Sequence, residues 1–208
     1  MSRQPTQNGG PTAPDVLLRV DGMLDDEERQ IRDTVRALVK GRIAPDIAAW
    51  YENGELPVRE LAAELGELGL LGMHLQGYGC AGTTATAYGL ACLELEAGDS
   101  GIRSLVSVQG SLAMFALHAY GSEEQKQQWL PGMAEGSLIG CFGLTEPASG
   151  SDASNMDTVA EEDGDHWVIN GAKNWITNGP HADVMVLFAA HERGAGYKGT
   201  TAFIIPKD

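Results

Sequence analysis

The sequence predicts an α+β fold, in which an all-helical domain over residues 23–136 is followed by a truncated β-domain over residues 137–208. Apolar residues recur at helical spacing through the first two-thirds of the chain. Short β-like runs separated by Gly, Asn and Asp follow, and the last run lies almost at the end of the sequence. Residues 1–22 are polar and rich in Gly and Pro, and we predict a disordered tail there.

Five helices are predicted from apolar periodicity and capping signals. Acidic residues open the first helix, and Pro57 opens the second. Either Thr83 or Thr84 caps the third, and a capping box that begins at Ser122 opens the fifth. The second, third and fourth helices are expected to end near residues 69, 97 and 119.

Six short strands are predicted in the β-domain, with turn signals at residues 163–165 and 170–171. A sheet of this size has open edges, which normally need a partner or a cover. We therefore expect the chain to be truncated, or to be completed by another chain. The predicted strands are residues 138–144, 158–161, 166–169, 172–176, 184–189 and 200–205.

Composition excludes several classes of function. The net charge of −15 argues against a nucleic-acid partner, because phosphate binding needs a basic face. Three widely spaced cysteines and five scattered histidines suggest neither a disulfide framework nor a metal site, and they fit a reducing cytoplasm. The most apolar stretch, residues 104–117, is too short and too polar to span a membrane.

Two segments are candidates for ligand binding. In residues 141–152, a strand leads into a loop rich in Gly and small hydroxyl residues, which can bring backbone N–H groups close to a diphosphate. In residues 175–179, Trp175 and Thr177 would face the same way on a strand, so that a flat ring could pack on the indole and hydrogen-bond the hydroxyl. Taken singly, an ordinary loop and a core tryptophan are the commoner interpretations.

Together, in this order and at this separation, the two segments resemble the signatures of the acyl-CoA dehydrogenase family. The resemblance runs from about residue 24 to the end of the chain, and it implies an FAD cofactor. Phe142 stands where several members carry Tyr, which keeps a ring contact and loses a phenol hydrogen bond. The residues that the resemblance places at FAD are Phe142, Gly143, Leu144, Thr145, Glu146, Pro147, Ala148, Ser149, Gly150, Ser151, Trp175, Ile176 and Thr177.

The resemblance also implies particular roles. The backbone around Leu144 and the hydroxyl of Thr145 would contact the pyrimidine side of the isoalloxazine, and Ser151 would reach the diphosphate or the CoA. Trp175 would cover one face of the ring, and Thr177 would hydrogen-bond near N5. A donor near N5 stabilises the negative charge of the reduced flavin.

Further upstream, residues 77–82, 96–104 and 120–125 resemble the glutaryl-CoA dehydrogenase branch of that family. Arg103 opens a run without a formal charge, apart from His118, and a buried guanidinium needs an anionic partner. That partner is either the distal carboxylate of a dicarboxylyl thioester or, structurally, Glu96 or Asp99; Glu96 could also orient Arg103. The substrate-binding residues implied are Glu96, Arg103, Ser104, Ser107 and Ser151.

The activity implied by the resemblance is FAD-dependent oxidation and decarboxylation of glutaryl-CoA to crotonyl-CoA, with electrons passed to an electron-transfer flavoprotein. The full-length form is expected to be a cytoplasmic homotetramer, or to lie in the mitochondrial matrix of a eukaryote. The catalytic base of the family is a Glu in a C-terminal helical domain, which we expect to be absent here, so we predict no catalytic residue and an inactive fragment. The alternatives are a dehydrogenase of uncharged short-chain acyl-CoA and a non-catalytic flavin-binding remnant.

Overall fold

The computed structural model describes residues 20–207, in which a layer of helices leads into a mixed five-stranded sheet. This arrangement confirms the predicted α+β class. Two π-helical segments, Val39–Ile43 and Val108–Met114, connect neighbouring helices. The α-helices are α1 (Asp26–Leu38), α2 (Ile47–Asn53), α3 (Val58–Glu67), α4 (Ala85–Gly98), α5 (Ser100–Ser107), α6 (Phe115–Tyr120) and α7 (Glu123–Glu135).

Side-chain caps fix the helix starts that the sequence predicted. The Asp25 carboxylate accepts a hydrogen bond from the Glu28 N–H at 2.8 Å, and Glu28 accepts one in return from the Asp25 N–H at 3.2 Å. Ser122 begins the equivalent box before α7. Thr84 caps α4, and Asp99 caps α5 by accepting from the N–H of the third helical residue.

The helical region contains a 3₁₀ turn and a short α-helix that the sequence analysis did not predict. Residues 1–19 of the predicted tail lie outside the described residues, whereas Val20–Met23 form a 3₁₀ turn. Arg29 fastens this turn to α1 by donating a hydrogen bond to the Asp21 carbonyl at 2.9 Å. Helix α2 was not predicted; it packs Ile47 and Trp50 against the helical core.

The sheet is organised around its longest buried strand. The strands are β1 (Gly140–Gly143), β2 (Val159–Asp163), β3 (His166–Asn170), β4 (Val184–Ala190) and β5 (Thr200–Pro206). The longest buried strand is β4, which pairs in parallel with β1 along four residues and antiparallel with β5 along seven. At its far end, a single pair joins β4 in parallel to β2, which forms an antiparallel hairpin with β3.

A buried glutamine joins the helices to the sheet. Gln109, on the second π-helical segment, donates hydrogen bonds to the carbonyls of Met133 at 2.9 Å and Leu138 at 2.8 Å. Its amide oxygen accepts from the Gly140 N–H at 2.7 Å, so the first strand begins under a helix. A Cβ at Gly140 would lie 2.4 Å from Met133 Cε and 2.8 Å from Ala113 Cβ, which is why glycine is needed at this close approach.

An ion pair closes the same junction on its outer side. Arg59 of α3 holds both carboxylate oxygens of Asp183 at 2.6 and 2.7 Å, immediately before β4. The hydrogen bonds from Arg59 outweigh partial burial and lower the pKa of Asp183. Asp183 also accepts from the Ile139 N–H at 2.7 Å, so the starts of β1 and β4 are held at one point.

Candidate functional site

The loop after β1, which we call the Thr145 loop (residues 144–152), is closed by short-range hydrogen bonds. The N–H of Glu146 donates to the Ser149 carbonyl at 2.9 Å, and the N–H of Ser149 donates back to the Glu146 carbonyl at 3.3 Å. The Ser149 hydroxyl donates to the carbonyl of Asp152 at 2.5 Å. The serine thus fixes the turn from inside, while Gly150 and Ser151 remain exposed.

The Trp175 segment (residues 173–179) is not the strand that was predicted over residues 172–176. Trp175 adopts a left-handed backbone conformation with φ of +57°, and Asn178 follows with φ of +68°. Extended pairing is incompatible with these angles, so Trp175 and Thr177 do not occupy alternate strand positions. The indole is left 85% exposed, and Asn178 secures the segment by donating to the Gly140 carbonyl at 3.2 Å.

Direct hydrogen bonds hold the Thr145 loop and the Trp175 segment together. The N–H of Asn174 donates to the Thr145 carbonyl at 2.9 Å. The ammonium group of Lys173 donates to the Leu144 carbonyl at 3.1 Å. The structure therefore brings together the two segments that the sequence singled out. One backbone N–H and one side-chain ammonium group make the contacts to carbonyl groups of the loop, and strand pairing does not contribute.

Glu146 occupies the inner side of the loop. Its carboxylate accepts from Lys173 Nζ at 2.7 Å, from the Asp157 N–H at 2.5 Å and from the Thr158 N–H at 3.0 Å. Burial alone would raise the pKa of Glu146, but these hydrogen bonds prevail and lower the pKa to about 2. Glu146 was predicted to contact the flavin, but its side chain is buried and bonds to other residues of the chain.

Lys173 is a functional candidate that the sequence analysis missed. It is the one formally charged residue between Asp165 and Asp183 apart from His166 and His181 as potential cations. An isolated lysine next to an aromatic segment was a usable signal, because an ammonium group among apolar residues requires an anionic partner. That partner, Glu146, lies 27 positions away and is not indicated by local spacing.

The exposed parts of the two segments present an aromatic face and a hydroxyl group that a flat ring could contact. An indole that is 85% exposed offers a stacking surface. The Thr145 hydroxyl makes no hydrogen bond within residues 20–207. Of the predicted flavin residues, Pro147, Ala148, Gly150, Ser151, Trp175 and Thr177 are exposed; Phe142, Leu144, Thr145 and Ile176 are half-buried; Gly143, Glu146 and Ser149 are buried.

Arg103 forms a second polar centre, on α5. Its Nε donates to Glu96 Oε2 at 2.5 Å, and Glu96 also accepts from the Ser100 hydroxyl at 2.8 Å. The hydrogen bond from Arg103, followed by that from Ser100, lowers the pKa of Glu96. The Arg103 side chain is 33% exposed, and within residues 20–207 its two terminal nitrogens have no hydrogen-bond acceptor. Glu96 therefore orients a guanidinium whose outer edge remains available.

Hydroxyl groups extend along the same helix. Ser107 donates to the Arg103 carbonyl at 3.0 Å, and Ser104 is half-buried beside it. One turn further on, the Ser111 and Tyr88 hydroxyls lie 2.6 Å apart. Tyr88 was not among the predicted site residues. Its hydroxyl comes close to Ser111 because helix α4 packs against helix α5, and the sequence alone does not show that packing.

An apolar cleft of about 500 Å³ lies between helix α6 and the sheet. Phe142 lines it from β1, with its ring centroid 4.9 Å from that of Phe188 on β4. Ser111 and Phe115 line it from the helical side. The cleft places the first predicted flavin residue beside an apolar surface that is large enough to hold an acyl chain.

Comparison with known proteins assigns the family. Residues 25–137 match the acyl-CoA dehydrogenase N-terminal domain, and residues 141–208 match its middle domain. The chain belongs to the acyl-CoA dehydrogenase family. This confirms the resemblance seen in the sequence.

Three members of the acyl-CoA dehydrogenase family resemble this chain over most of its length. A glutaryl-CoA dehydrogenase structure from Mycobacterium smegmatis is 64% identical, with a TM-score of 0.88 over 93% of this chain and 49% of that one. Another from that organism, in complex with FADH2, is 56% identical, with a TM-score of 0.87 over 92% and 48%. The short-chain specific acyl-CoA dehydrogenase of Rattus norvegicus mitochondria is 38% identical over 88% and 44%.

This chain thus spans about half the length of the family members that it matches. No helix among residues 20–207 is long and apolar enough to cross a membrane.

Proposed function

We propose that this chain forms the N-terminal and middle parts of an FAD-dependent dehydrogenase that oxidises and decarboxylates glutaryl-CoA. The observation that carries the substrate assignment is the geometry at Arg103. One edge of its guanidinium is held by Glu96, and the terminal nitrogens have no acceptor within the described residues. A planar fork presented in this way suits the distal carboxylate of a dicarboxylyl thioester.

The cofactor assignment rests on the joined Thr145 loop and Trp175 segment. When bound, FAD would supply the acceptor for the hydride that leaves the β carbon of the thioester. The indole of Trp175 would cover one face of the ring, with Thr177 near N5. The Thr145 hydroxyl and the Leu144 backbone would bind the pyrimidine edge. Ser151 would reach the diphosphate or the CoA. The relative in complex with FADH2 supports this assignment.

A second candidate substrate is an uncharged short-chain acyl-CoA. The curated relatives include short-chain specific enzymes at 36–39% identity. We favour glutaryl-CoA because the glutaryl-CoA dehydrogenase structure is 64% identical over nearly the whole chain. An uncharged substrate would also leave the terminal nitrogens of Arg103 without an anionic partner. A flavin-binding remnant without activity is the third alternative.

The proposed reaction removes a proton and a hydride from the thioester and then releases CO₂. A base takes the proton α to the thioester carbonyl, hydride leaves the β carbon, and the enoyl product then loses its distal carboxylate as CO₂ and gains a proton to give crotonyl-CoA. Hydrogen bonds in a dry pocket stabilise the enolate oxygen. We assign the base to no residue described here. The two electrons would leave to an electron-transfer flavoprotein, and we keep a cytoplasmic homotetramer as the proposed full-length form.

The substrate proposal is tested by ligand binding to FAD-loaded protein, with the flavin absorption spectrum as the readout. Glutaryl-CoA should bind more tightly than butyryl-CoA by about tenfold or more, as expected for a hydrogen-bonded charge pair. Arg103→Ala should remove this preference. Arg42→Ala is the matched control, because Arg42 is 32% exposed and is likewise paired with a glutamate. A preference for glutaryl-CoA that survives in Arg103→Ala would contradict the role assigned to Arg103, and equal or tighter binding of butyryl-CoA by the wild type would favour the uncharged alternative.

A further inference from the structure

We infer that Lys173 and Glu146 are positioning residues, which set the distance and angle between the Thr145 loop and the Trp175 segment. The inference rests on the proposed FAD site and deepens it. Both charged groups are withdrawn from solvent: the side chain of Glu146 is 1% exposed and that of Lys173 is 6% exposed. Neither side chain is therefore available as a surface contact for a ligand.

Glu146 fixes the inner side of the Thr145 loop. Its two oxygens receive the backbone N–H groups of Asp157 and Thr158, which lead into β2, and the ammonium group of Lys173. The loop is thus fastened to two other parts of the chain by one carboxylate. Three charge-assisted hydrogen bonds to a buried group leave little freedom in its placement.

Lys173 fixes the Trp175 segment against the same loop. Its Nζ reaches Glu146 at 2.7 Å and also the Leu144 carbonyl at 3.1 Å. The next residue, Asn174, donates its N–H to the Thr145 carbonyl, and Trp175 follows directly with its left-handed backbone. The lysine therefore determines where the indole stands relative to the Leu144 and Thr145 backbone.

Stability alone does not account for such a pair. Well-packed apolar residues of similar volume often replace a buried ion pair at no loss of stability, whereas removing one partner is strongly destabilising. What apolar residues cannot provide is the donor to the Leu144 carbonyl and the acceptor for two N–H groups. The pair is suited to holding the geometry of a binding site that tolerates little displacement.

The test compares single and paired substitutions by two readouts. In Glu146→Gln/Lys173→Met, both charges are absent and the protein should remain folded. Because the link to the Leu144 carbonyl is lost, hydrogen exchange at the Asn174 amide should accelerate and the Kd for FAD should rise, each by about tenfold or more. Exchange along α4 should not change. The exposed Lys198→Met should match the wild type in both readouts.

A conservative substitution protects the test against misfolding. Lys173→Arg keeps a buried cationic donor, and it should return FAD affinity to within about a few-fold of the wild type. Wild-type Asn174 exchange and wild-type FAD affinity in the paired variant would overturn the inference while leaving the proposed function intact. Failure of the folded wild-type protein to take up FAD would instead overturn the proposed function, and the inference with it.

Discussion

At Glu146, burial and hydrogen bonding act on one carboxyl group in opposite directions. Burial raises the pKa of Glu146, and the bonds from Lys173 and two N–H groups lower it to a net value of about 2 from an ordinary 4.5. A carboxyl group whose pKa is lower in the folded state stabilises the protein above its unfolded pKa. That contribution, about 3 kcal/mol in full, disappears as the pH falls from about 4.5 to about 2.

We therefore expect Glu146→Gln to flatten the acid limb of the stability curve. The carboxyl group titrates between about pH 5 and pH 2. Across that range, the free energy of unfolding of the wild type should fall by up to about 3 kcal/mol more than that of the variant. The measurement is the free energy of unfolding by urea at several pH values. Glu52→Gln, at an exposed glutamate, should follow the wild type. Parallel curves for wild type and Glu146→Gln would contradict the assigned pKa.

At the scale of secondary structure elements, the close approach of β1 to the helices depends on Gly140. An added methyl group there meets Met133 and Ala113 at distances that force a shift. Gly140→Ala should therefore lower the free energy of unfolding by about 1–3 kcal/mol. Thermal unfolding of the purified variants measures the effect.

Helix α4 offers the opposite substitution as a control. Gly89 lies in its exposed middle, and a Cβ there would meet nothing within 4 Å. Since glycine costs conformational entropy in a helix interior, Gly89→Ala should stabilise the protein by about 0.5–1 kcal/mol. Equal effects of the two alanines would show that packing at Gly140 is looser than described.

The elements predicted from sequence were those with local signals. The cap at Thr84 and the box at Ser122 involve residues three positions apart, so the sequence displays them. Short β-like runs likewise located β4 and β5. Helix α2 was missed because its order depends on packing of Ile47 and Trp50 against distant helices.

The sequence predicted which motifs form the candidate site, but it did not predict their backbone conformation or their contacts. The strand expected over residues 172–176 was wrong, because the left-handed Trp175 and the bond from Asn174 to Thr145 are tertiary features. The pairing of Lys173 with Glu146 was unpredicted for the same reason. Arg103 with Glu96 lay within reach of sequence reasoning, since only a short break separates their helices.

Across the whole molecule, the helices and the sheet meet at the structures that position the candidate site. Gln109 and the Arg59–Asp183 pair set the start of β1 and β4, and β1 delivers the Thr145 loop at its end. The site thus depends on packing between helices and sheet as well as on its own loop. The exposed Trp175 belongs to the candidate site that these contacts position.

The most direct test of the account is an FAD titration followed by flavin absorption and tryptophan fluorescence, with wild type, Trp175→Ala and Trp167→Ala compared. Trp167 is also well exposed, but it lies on β3 outside the proposed site. Wild type and Trp167→Ala should bind FAD alike, whereas Trp175→Ala should bind it about tenfold or more weakly because stacking is lost. Undiminished FAD binding by Trp175→Ala, or none by the folded wild type, would contradict the proposed flavin site.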